Sequence, residues 1–307
     1  MTASAAVAGL FAALALTPWA APPQAVPPPT AIMRLSDDPF AGAWSQVALE
    51  NTAEPLMKSV RAGGLAAGNV ELEARLARVS DPAERSRLLT AYGIGLMSEG
   101  DPEPAEGAAL ALPFMQRAVV EGRAGFPADS RMLAMLLSDG ANTEFMARGA
   151  ETSATAESWL EEAHRIRTGR LGPGHSETIS SLVYLADIRG QSERVQGDPA
   201  RIDAVNRLYE PLLTADPDQR LDDLTPFFIK WMTFLVRVER PDQACAVLDK
   251  MGVLNPRLGL DMEFAAFRLG ELLSAAGHED RARPLAADDV LGFGPPSGAG
   301  KPLRCGS

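Results

Sequence analysis

The clearest pattern of apolar and polar positions lies in residues 156–190. Its first half carries apolar or long side chains at spacings of four, three and four, with charged residues between them, which is the periodicity of one amphipathic helix. Its second half repeats this periodicity after Ser176 and Glu177, which suit a helix cap and an acidic first turn. The stripe positions are Trp159, Ala163, Ile166 and Arg170, and then Ile179, Leu182, Val183, Ala186 and Arg189.

The residues between these two helices predict a tight turn. Gly172 and Gly174 are free to take positive φ, and Pro173 cannot continue the first helix. His175 is expected to belong to this turn and to form a hydrogen bond near the start of the second helix. The chain therefore turns back, and the two amphipathic helices lie side by side.

Segments with similar periodicity lie on both sides of this stretch and predict further helices. Ser80-Asp81-Pro82 supplies one start signal, and Pro199 and Pro241 open two more helices. Such pairs recur at intervals of roughly 38 to 45 residues, and none can bury its apolar stripe alone. The predicted segments are 83–97, 107–121, 129–137, 224–238, the two that begin at Pro199 and Pro241, and a last pair within 269–282.

Residues 159–190 resemble a tetratricopeptide (TPR) repeat of the kinesin-light-chain-like type. That signature is an alanine-bearing helix, then Leu-Gly-Pro-x-His, an acidic residue with Thr, and a Leu-rich second helix. The resemblance implies a solenoid of helix pairs whose inner groove binds another protein or a peptide. The matching residues are Ala163, Leu171, Gly172, Pro173, His175, Glu177, Thr178, Leu182, Leu185 and Ala186.

We therefore expect an all-α fold, an α-α superhelix (a TPR-like solenoid) of about five helix pairs. The composition agrees, because aromatic residues are only 6% and helix-forming Ala, Leu, Met, Arg and Glu dominate. Since the repeats are degenerate, a less regular α-α array is the alternative. The predicted division is a signal peptide at 1–25, a Pro-rich linker at 26–37, a TPR-like repeat domain at 38–290 and a disordered tail at 291–307.

The first residues are typical of a secretory signal peptide. Ala5 to Leu16 is an unbroken apolar run that Thr17-Pro18 ends, and small residues suited to cleavage follow. No Lys or Arg precedes the run, which is also shorter than the ~20 residues that a spanning helix needs. We expect a periplasmic or secreted protein, with an uncleaved membrane anchor or an incorrectly assigned start as alternatives.

Motifs that carry chemistry are missing from the sequence. The histidines, His164, His175 and His278, have no metal-ligand spacing, and the Gly-rich tail near Lys301 departs from the phosphate-binding loop in both spacing and residue type. Ser98 is expected to cap a helix end. We therefore name no catalytic, cofactor-binding or metal-binding residue, and we expect that the protein is not an enzyme.

Two other groups of residues leave alternatives open. Arg165, Arg167 and Arg189 are exposed candidates for binding acidic ligand groups, although ordinary surface ion pairing is the favoured interpretation. Cys245 and Cys305 would close a loop of about 60 residues if they pair in an exported protein. Otherwise Cys245 is a small core residue and Cys305 is free.

These observations favour a non-enzymatic protein- or peptide-binding scaffold of the cell envelope. The formal net charge of -11 disfavours nucleic acid and anionic membrane surfaces as partners. The alternatives are a subunit of an obligate oligomer and an all-α envelope hydrolase or lyase. A contiguous apolar outer face would favour the subunit, and a deep pocket with convergent acids would favour the enzyme.

Overall fold

The computed structural model describes residues 46–99, 104–191, 195, 197–216, 223–285 and 305. These residues form eleven α-helices and two short 3₁₀ helices, with no β-strand among them, which confirms the all-α prediction. The α-helices are α1 Gln46–Leu76, α2 Pro82–Glu99, α3 Pro104–Gly125, α4 Arg131–Arg148, α5 Ala154–Leu171, α6 Ser176–Gln191, α7 Pro199–Tyr209, α8 Thr225–Arg237, α9 Pro241–Leu258, α10 Met262–Ala275 and α11 Glu279–Ala282.

Each helix packs against its neighbours in the sequence, so the architecture is a succession of helix pairs. From α4 onward the even-numbered helices also contact one another in series, α4 with α6, α6 with α8, and α8 with α10. We call α4, α6, α8 and α10 the even layer. A hydrogen bond from the Asp261 amide to Thr225 Oγ1, 2.9 Å long, joins the starts of α8 and α10 in this layer.

The predicted crossing points between helices are closely packed. Ala163 on α5 and Ala244 on α9 are completely buried, as expected for small residues where two helices approach. At the end of α3, a Cβ atom on Gly125 would lie 2.3 Å from the backbone nitrogen of Ala83 on α2. The sequence requires small residues at these positions because a larger side chain would meet backbone or core atoms.

Ion pairs join helices at sequence separations close to the predicted repeat. Arg85 pairs with Glu121 across 36 residues, and Arg131 pairs with Glu177 across 46 residues. These separations bracket the interval of roughly 38 to 45 residues that the sequence predicts. Further pairs of this kind are Arg117 with Glu73, Arg123 with Glu162, Arg170 with Asp129, Lys230 with Asp187, Arg240 with Asp203, and Arg281 with Asp242.

The turn between α5 and α6 confirms the local prediction. Gly172 has a φ of 86°, and its amide donates to the carbonyl of Thr168 at the end of α5. The Glu177 amide donates to Nδ1 of His175 over 3.2 Å, so this histidine belongs to the start of α6. The turn therefore places α5 and α6 side by side, as its residues require.

The predicted stripe of α5 was partly wrong. Ala163 and Ile166 are buried, but Trp159 and Arg170 are only half-buried, and Leu160, Arg167 and Leu171 take the deeper positions. The difference arises because α5 packs against both α4 and α6, so the buried face is wider than one stripe. Ser98 lies at the end of α2, as predicted, but it does not cap the helix, because its hydroxyl donates to the carbonyl of Ile94 within the last turns.

Cys245 and Cys305 form a disulfide, so the pairing is the correct alternative of the two. Their Cα atoms are 5.7 Å apart, and the bond closes a sequence separation of 60 residues that contains most of α9 and all of α10 and α11. The predicted signal peptide at 1–25, the linker at 26–37, the domain limits near 38 and 290, and the rest of the tail at 291–307 lie outside the described residues. Among the helices that the structure describes, none has the length and apolar character required to span a membrane.

Candidate functional site

The outward face of α6 lies in the middle of the even layer. Ile179, Val183 and Ala186 point into the core and are fully buried, which leaves Ser180, Tyr184 and Asp187 half-buried on the other side. The spacing of four and three that separates these last three residues keeps them on one helix face. This face therefore presents an aromatic ring between a hydroxyl group and a carboxylate.

Tyr184 is the centre of a group of side chains from three helices of the even layer. Its ring meets the ring of Phe227 on α8 edge to face, with 6.2 Å between the ring centroids. Nζ of Lys230, also on α8, lies 5.5 Å from the centroid of the Tyr184 ring, within the range of a cation–π interaction. We define the Tyr184 surface as Asp139, Tyr184, Asp187, Phe227 and Lys230.

Asp187 holds one side of this surface in place. Its carboxylate accepts a hydrogen bond from the hydroxyl of Tyr209 on α7, 2.9 Å long, and forms an ion pair with Lys230. Burial, together with the nearby Asp187 charge, raises the pKa of Tyr209 well above its usual value, so the hydroxyl remains a donor. The charge of Lys230 is therefore balanced, and its position over Tyr184 is fixed.

Asp139 on α4 is close enough to Tyr184 for its charge to act on the phenol. Its neighbour Ser138 and Ser181, about one helical turn before Tyr184, both accept from Nη1 of Arg167, which brings these parts of α4 and α6 together. Burial raises its pKa from 3.8 to about 6, although the positive charge of Arg167 acts in the opposite direction. No residue in the described part of the chain donates a hydrogen bond to its carboxylate or forms an ion pair with it. Asp139 is thus a half-buried carboxylate whose only compensation is a charge at longer range.

Tyr184 responds to all of these charges. Burial raises the pKa of its phenol, with Lys230 acting against this shift and the carboxylates Asp139 and Asp187 adding to it. The charged groups assigned to the surface are therefore close enough to Tyr184 to interact with it electrostatically. The hydroxyl stays protonated at neutral pH and can donate a hydrogen bond at the surface.

Arg167 lies beneath this surface, and its predicted exposure was wrong. It is only 5% exposed, and Nη1 donates to Ser138 Oγ over 2.9 Å and to Ser181 Oγ over 2.7 Å. Nη1 also donates to the carbonyl of Glu177, whose carboxylate lies 3.7 Å from Nε. Arg167 thereby joins α4, α5 and α6 from inside, and it is not available to a ligand.

Glu177 connects this buried arginine to the start of α4. Burial disfavours its charge, but the hydrogen bonds from Arg131 and the positive charge of Arg167 hold the pKa of Glu177 below its usual value. The carboxylate is thus ionised and compensated at neutral pH. Among the three helices that meet here, the acids Glu177 and Asp187 are paired while Asp139 is not.

The other predicted candidates are Arg189 on α6 and Arg165 on α5. Arg189 forms ion pairs with Glu157 at 2.9 Å and with Glu161 at 2.6 Å, in agreement with surface salt bridging. Arg165 is exposed on α5. Neither of them is part of the Tyr184 surface.

A shallow pocket lies where the α8–α9 turn meets the α10–α11 turn. Arg237, Glu239, Asp242, His278 and Arg281 contribute to its lining. The carboxylate of Asp242 accepts from Nε and Nη2 of Arg281 at 2.9 and 2.7 Å, so this acid of the pocket is already paired. In the described part of the chain, no group of three or more His, Cys, Asp or Glu side chains could hold a metal ion.

No family model matches this chain, and a comparison with curated proteins finds no match either. The relation to TPR proteins therefore rests on the resemblance of residues 159–190. Function has to be argued from the residues of the site, since a helical architecture by itself serves many functions.

Proposed function

We propose that this protein is a non-enzymatic scaffold that binds another protein, or an extended or helical peptide, on the even layer of a TPR-like solenoid. The observation that carries the proposal is the Tyr184 surface. It combines two partly accessible aromatic rings with charged groups near them, and such rings are enriched where proteins bind one another.

The rigidity of this surface supports a binding role. Asp187 fixes Lys230 and Tyr209, and the Arg167 network fixes α4 and α6 from below. A surface that is already ordered loses little conformational entropy when a partner binds, which favours affinity. Because α4 packs against α6 and α6 against α8, an extended partner could contact several helices of the even layer at once.

The disulfide supports the proposal that the scaffold works in the cell envelope or outside the cell. Disulfides form and persist in oxidising compartments and are rare in the bacterial cytosol. The bond between Cys245 and Cys305 therefore agrees with export directed by residues 1–25. The net charge of -11 further favours a protein partner over nucleic acid.

An affinity pull-down tests the proposed function. The full chain would be immobilised and exposed to an envelope extract of the cells that produce it, and retained proteins would be identified by mass spectrometry. The matched variants are Tyr184→Ala on the surface and Val253→Ala on α9, a helix outside the even layer, where the Val253 side chain is 79% exposed. We expect a reproducible partner with the wild type and with Val253→Ala, reduced about tenfold or more with Tyr184→Ala.

Two results would contradict the proposal. If Tyr184→Ala retained the same partner as the wild type, the binding surface would lie elsewhere. If no partner were retained by either the wild type or Val253→Ala, the scaffold function itself would be wrong.

A further inference from the structure

Asp139 differs from the other acidic residues near the Tyr184 surface. Glu177 pairs with Arg131, Asp187 pairs with Lys230, and the carboxylate of Glu144 accepts from the amide of Ser153. Among the described residues, no hydrogen-bond donor or ion-pair partner reaches the carboxylate of Asp139. The surface thus carries one negative charge without a direct partner among the described residues, within electrostatic range of the Tyr184 phenol.

This arrangement is unfavourable for the isolated protein. A half-buried carboxylate loses part of its hydration, and a charge that is removed from water without a hydrogen bond destabilises the fold. Ser138, the neighbouring residue on α4, accepts a hydrogen bond from Arg167 and does not donate one to the Asp139 carboxylate. Arg167 is held by Ser138, Ser181 and Glu177 and cannot turn toward Asp139 without breaking those bonds.

We propose that Asp139 is the anchor for a Lys or Arg side chain of the segment that binds the Tyr184 surface. This inference rests on the proposed function and names the chemistry of its partner: a basic segment with an apolar or aromatic side chain beside the basic one. The cation pairs with the Asp139 carboxylate, and the apolar neighbour covers the rings of Tyr184 and Phe227.

Charge complementarity selects this occupant. The chain has a net charge of -11, and Asp139 is the charge on this face that lacks a direct partner, whereas the cation Lys230 is already paired with Asp187. An acidic segment would meet the Asp139 carboxylate without gaining an available cation, and a purely apolar segment would bury that carboxylate unpaired. A basic segment avoids both penalties.

The test uses short synthetic peptides as probes. Three pools share the same randomised positions and differ at the central residue, which is a mixture of Lys and Arg in one pool, Glu in the second and Gln in the third. The full chain is exposed to each pool, retained peptides are identified, and the dissociation constants of the best binders are measured by fluorescence anisotropy.

Three variants locate the interaction. Asp139→Asn removes the proposed anchor with almost no change in shape, and Tyr184→Ala removes the ring beside it. Asp249→Asn is the matched control, because it removes one exposed carboxylate from α9, outside the even layer. Thermal unfolding of all variants shows that they are folded before binding is compared.

We expect the pool with central Lys and Arg to be enriched. Its best peptides should bind Asp139→Asn and Tyr184→Ala at least about tenfold more weakly than the wild type, while Asp249→Asn binds them normally. Enrichment of peptides that lack a basic residue, or unchanged affinity in Asp139→Asn, would overturn the inference while leaving the scaffold function intact. Failure of every pool to bind the folded wild type would also overturn the inference, while the pull-down described above decides separately on the scaffold function.

Discussion

Asp139 and Arg167 show two ways in which this fold removes a charge from water. Arg167 is deeply buried; its Nη1 donates to two serine hydroxyls and a backbone carbonyl, while its Nε has no hydrogen-bond acceptor among the described residues and lies 3.7 Å from the Glu177 carboxylate. Asp139 is less deeply buried, but no described residue donates a hydrogen bond to its carboxylate. Its ionised form is therefore destabilised relative to the unfolded chain.

The raised pKa of Asp139 predicts a pH-dependent contribution to stability. The folded-state pKa of about 6 exceeds the ordinary value of 3.8, so the folded protein binds more protons than the unfolded chain between these two pH values. The free energy of unfolding of the wild type therefore falls as the pH rises from about 4 through 6. Asparagine does not titrate, so the free energy of unfolding of Asp139→Asn, taken relative to that of the wild type, should increase by about 1 to 3 kcal/mol when the pH is raised from about 4 to about 7.5. Denaturant unfolding of both proteins at these two pH values measures the difference.

The control for this prediction is Asp249→Asn. Because its carboxylate is exposed on α9, the free energy of unfolding of this variant should follow that of the wild type at both pH values. If Asp139→Asn also followed the wild type, the carboxylate would be compensated by groups not recognised above. The argument for Asp139 as an anchor would then lose its energetic basis.

Glu239 is a second residue held in an unfavourable state. It follows α8 with a φ of 58°, and the next amide, that of Arg240, donates to the carbonyl of Leu235. Gly277 occupies the same position after α10, with a φ of 81° and the equivalent bond from the amide of His278 to Leu273. Both turns thus have the hydrogen bond and the positive φ of a Schellman motif, in which glycine is the usual residue. After α8 this position is occupied by Glu239 instead of glycine.

Replacing Glu239 by Gly should therefore stabilise the protein. Positive φ destabilises the folded state by roughly 1 kcal/mol when the residue has a Cβ atom. We therefore expect Glu239→Gly to raise the free energy of unfolding by about 0.5 to 1 kcal/mol. The opposite change, Gly277→Ala, should lower it by a similar amount. Urea denaturation of the two variants is the measurement, and a loss of stability in Glu239→Gly would show that its side chain makes a stronger contribution than the backbone strain.

At the scale of helices, glycine has two opposite roles in neighbouring pairs. Gly125, at the end of α3, lies against the backbone of Ala83, and an added Cβ would come within 2.3 Å of a nitrogen that has no room to move. Gly169, inside α5, is exposed, and an added Cβ would have no neighbour within 4 Å. The first glycine is required by packing, while the second only weakens its helix.

This contrast gives a matched pair of variants. We expect Gly125→Ala to lower the free energy of unfolding by about 1 to 3 kcal/mol, because α2 and α3 must separate to admit the methyl group. Gly169→Ala should raise it by about 0.5 to 1 kcal/mol, since alanine favours the helix and restricts the unfolded chain. Similar effects in the two variants, measured by thermal unfolding, would contradict the proposed contact between α2 and α3.

The sequence predicted helices better than it predicted their surroundings. The periodicities and start signals located α2, α5, α6, α8 and α9, because each has an apolar stripe and a proline, serine or glycine at an end. The burial of Arg167 could not be predicted from these periodicities. Its burial depends on hydrogen bonds to Ser138 and Ser181, which belong to α4 and α6. The periodicity of α5 alone predicts that a charged residue such as arginine is exposed.

At the scale of the whole molecule, the even layer explains why the candidate surface was missed. Tyr184 lies within an apolar run, and Phe227 and Lys230 lie in a helix that reads as core, so none of them stands out in the sequence. They become a site only because α4, α6 and α8 pack in series. The repeat interval indicated such packing, but not which side chains face outward together.

The disulfide is the largest covalent constraint on the architecture. It joins α9 to the C-terminal residues across a separation of 60, and a loop of this size corresponds to a stabilisation of about 4 kcal/mol in the chain-entropy model. We expect Cys305→Ser to lower the thermal unfolding temperature. A reducing agent should lower the unfolding temperature of the wild type and leave that of Cys305→Ser unchanged. Equal unfolding temperatures for the wild type with and without the reducing agent would show that the bond is not formed in solution.

The central claim is that a protein partner binds the Tyr184 surface, and photo-crosslinking inside the producing cells tests it most directly. A photoreactive phenylalanine analogue would replace Phe227 on this surface and, in a second strain, Val253 on α9. The account predicts a crosslinked protein at position 227, absent at position 253 and reduced when the Asp139→Asn change is added. Crosslinking to the same protein at both positions, or none at position 227, would contradict it.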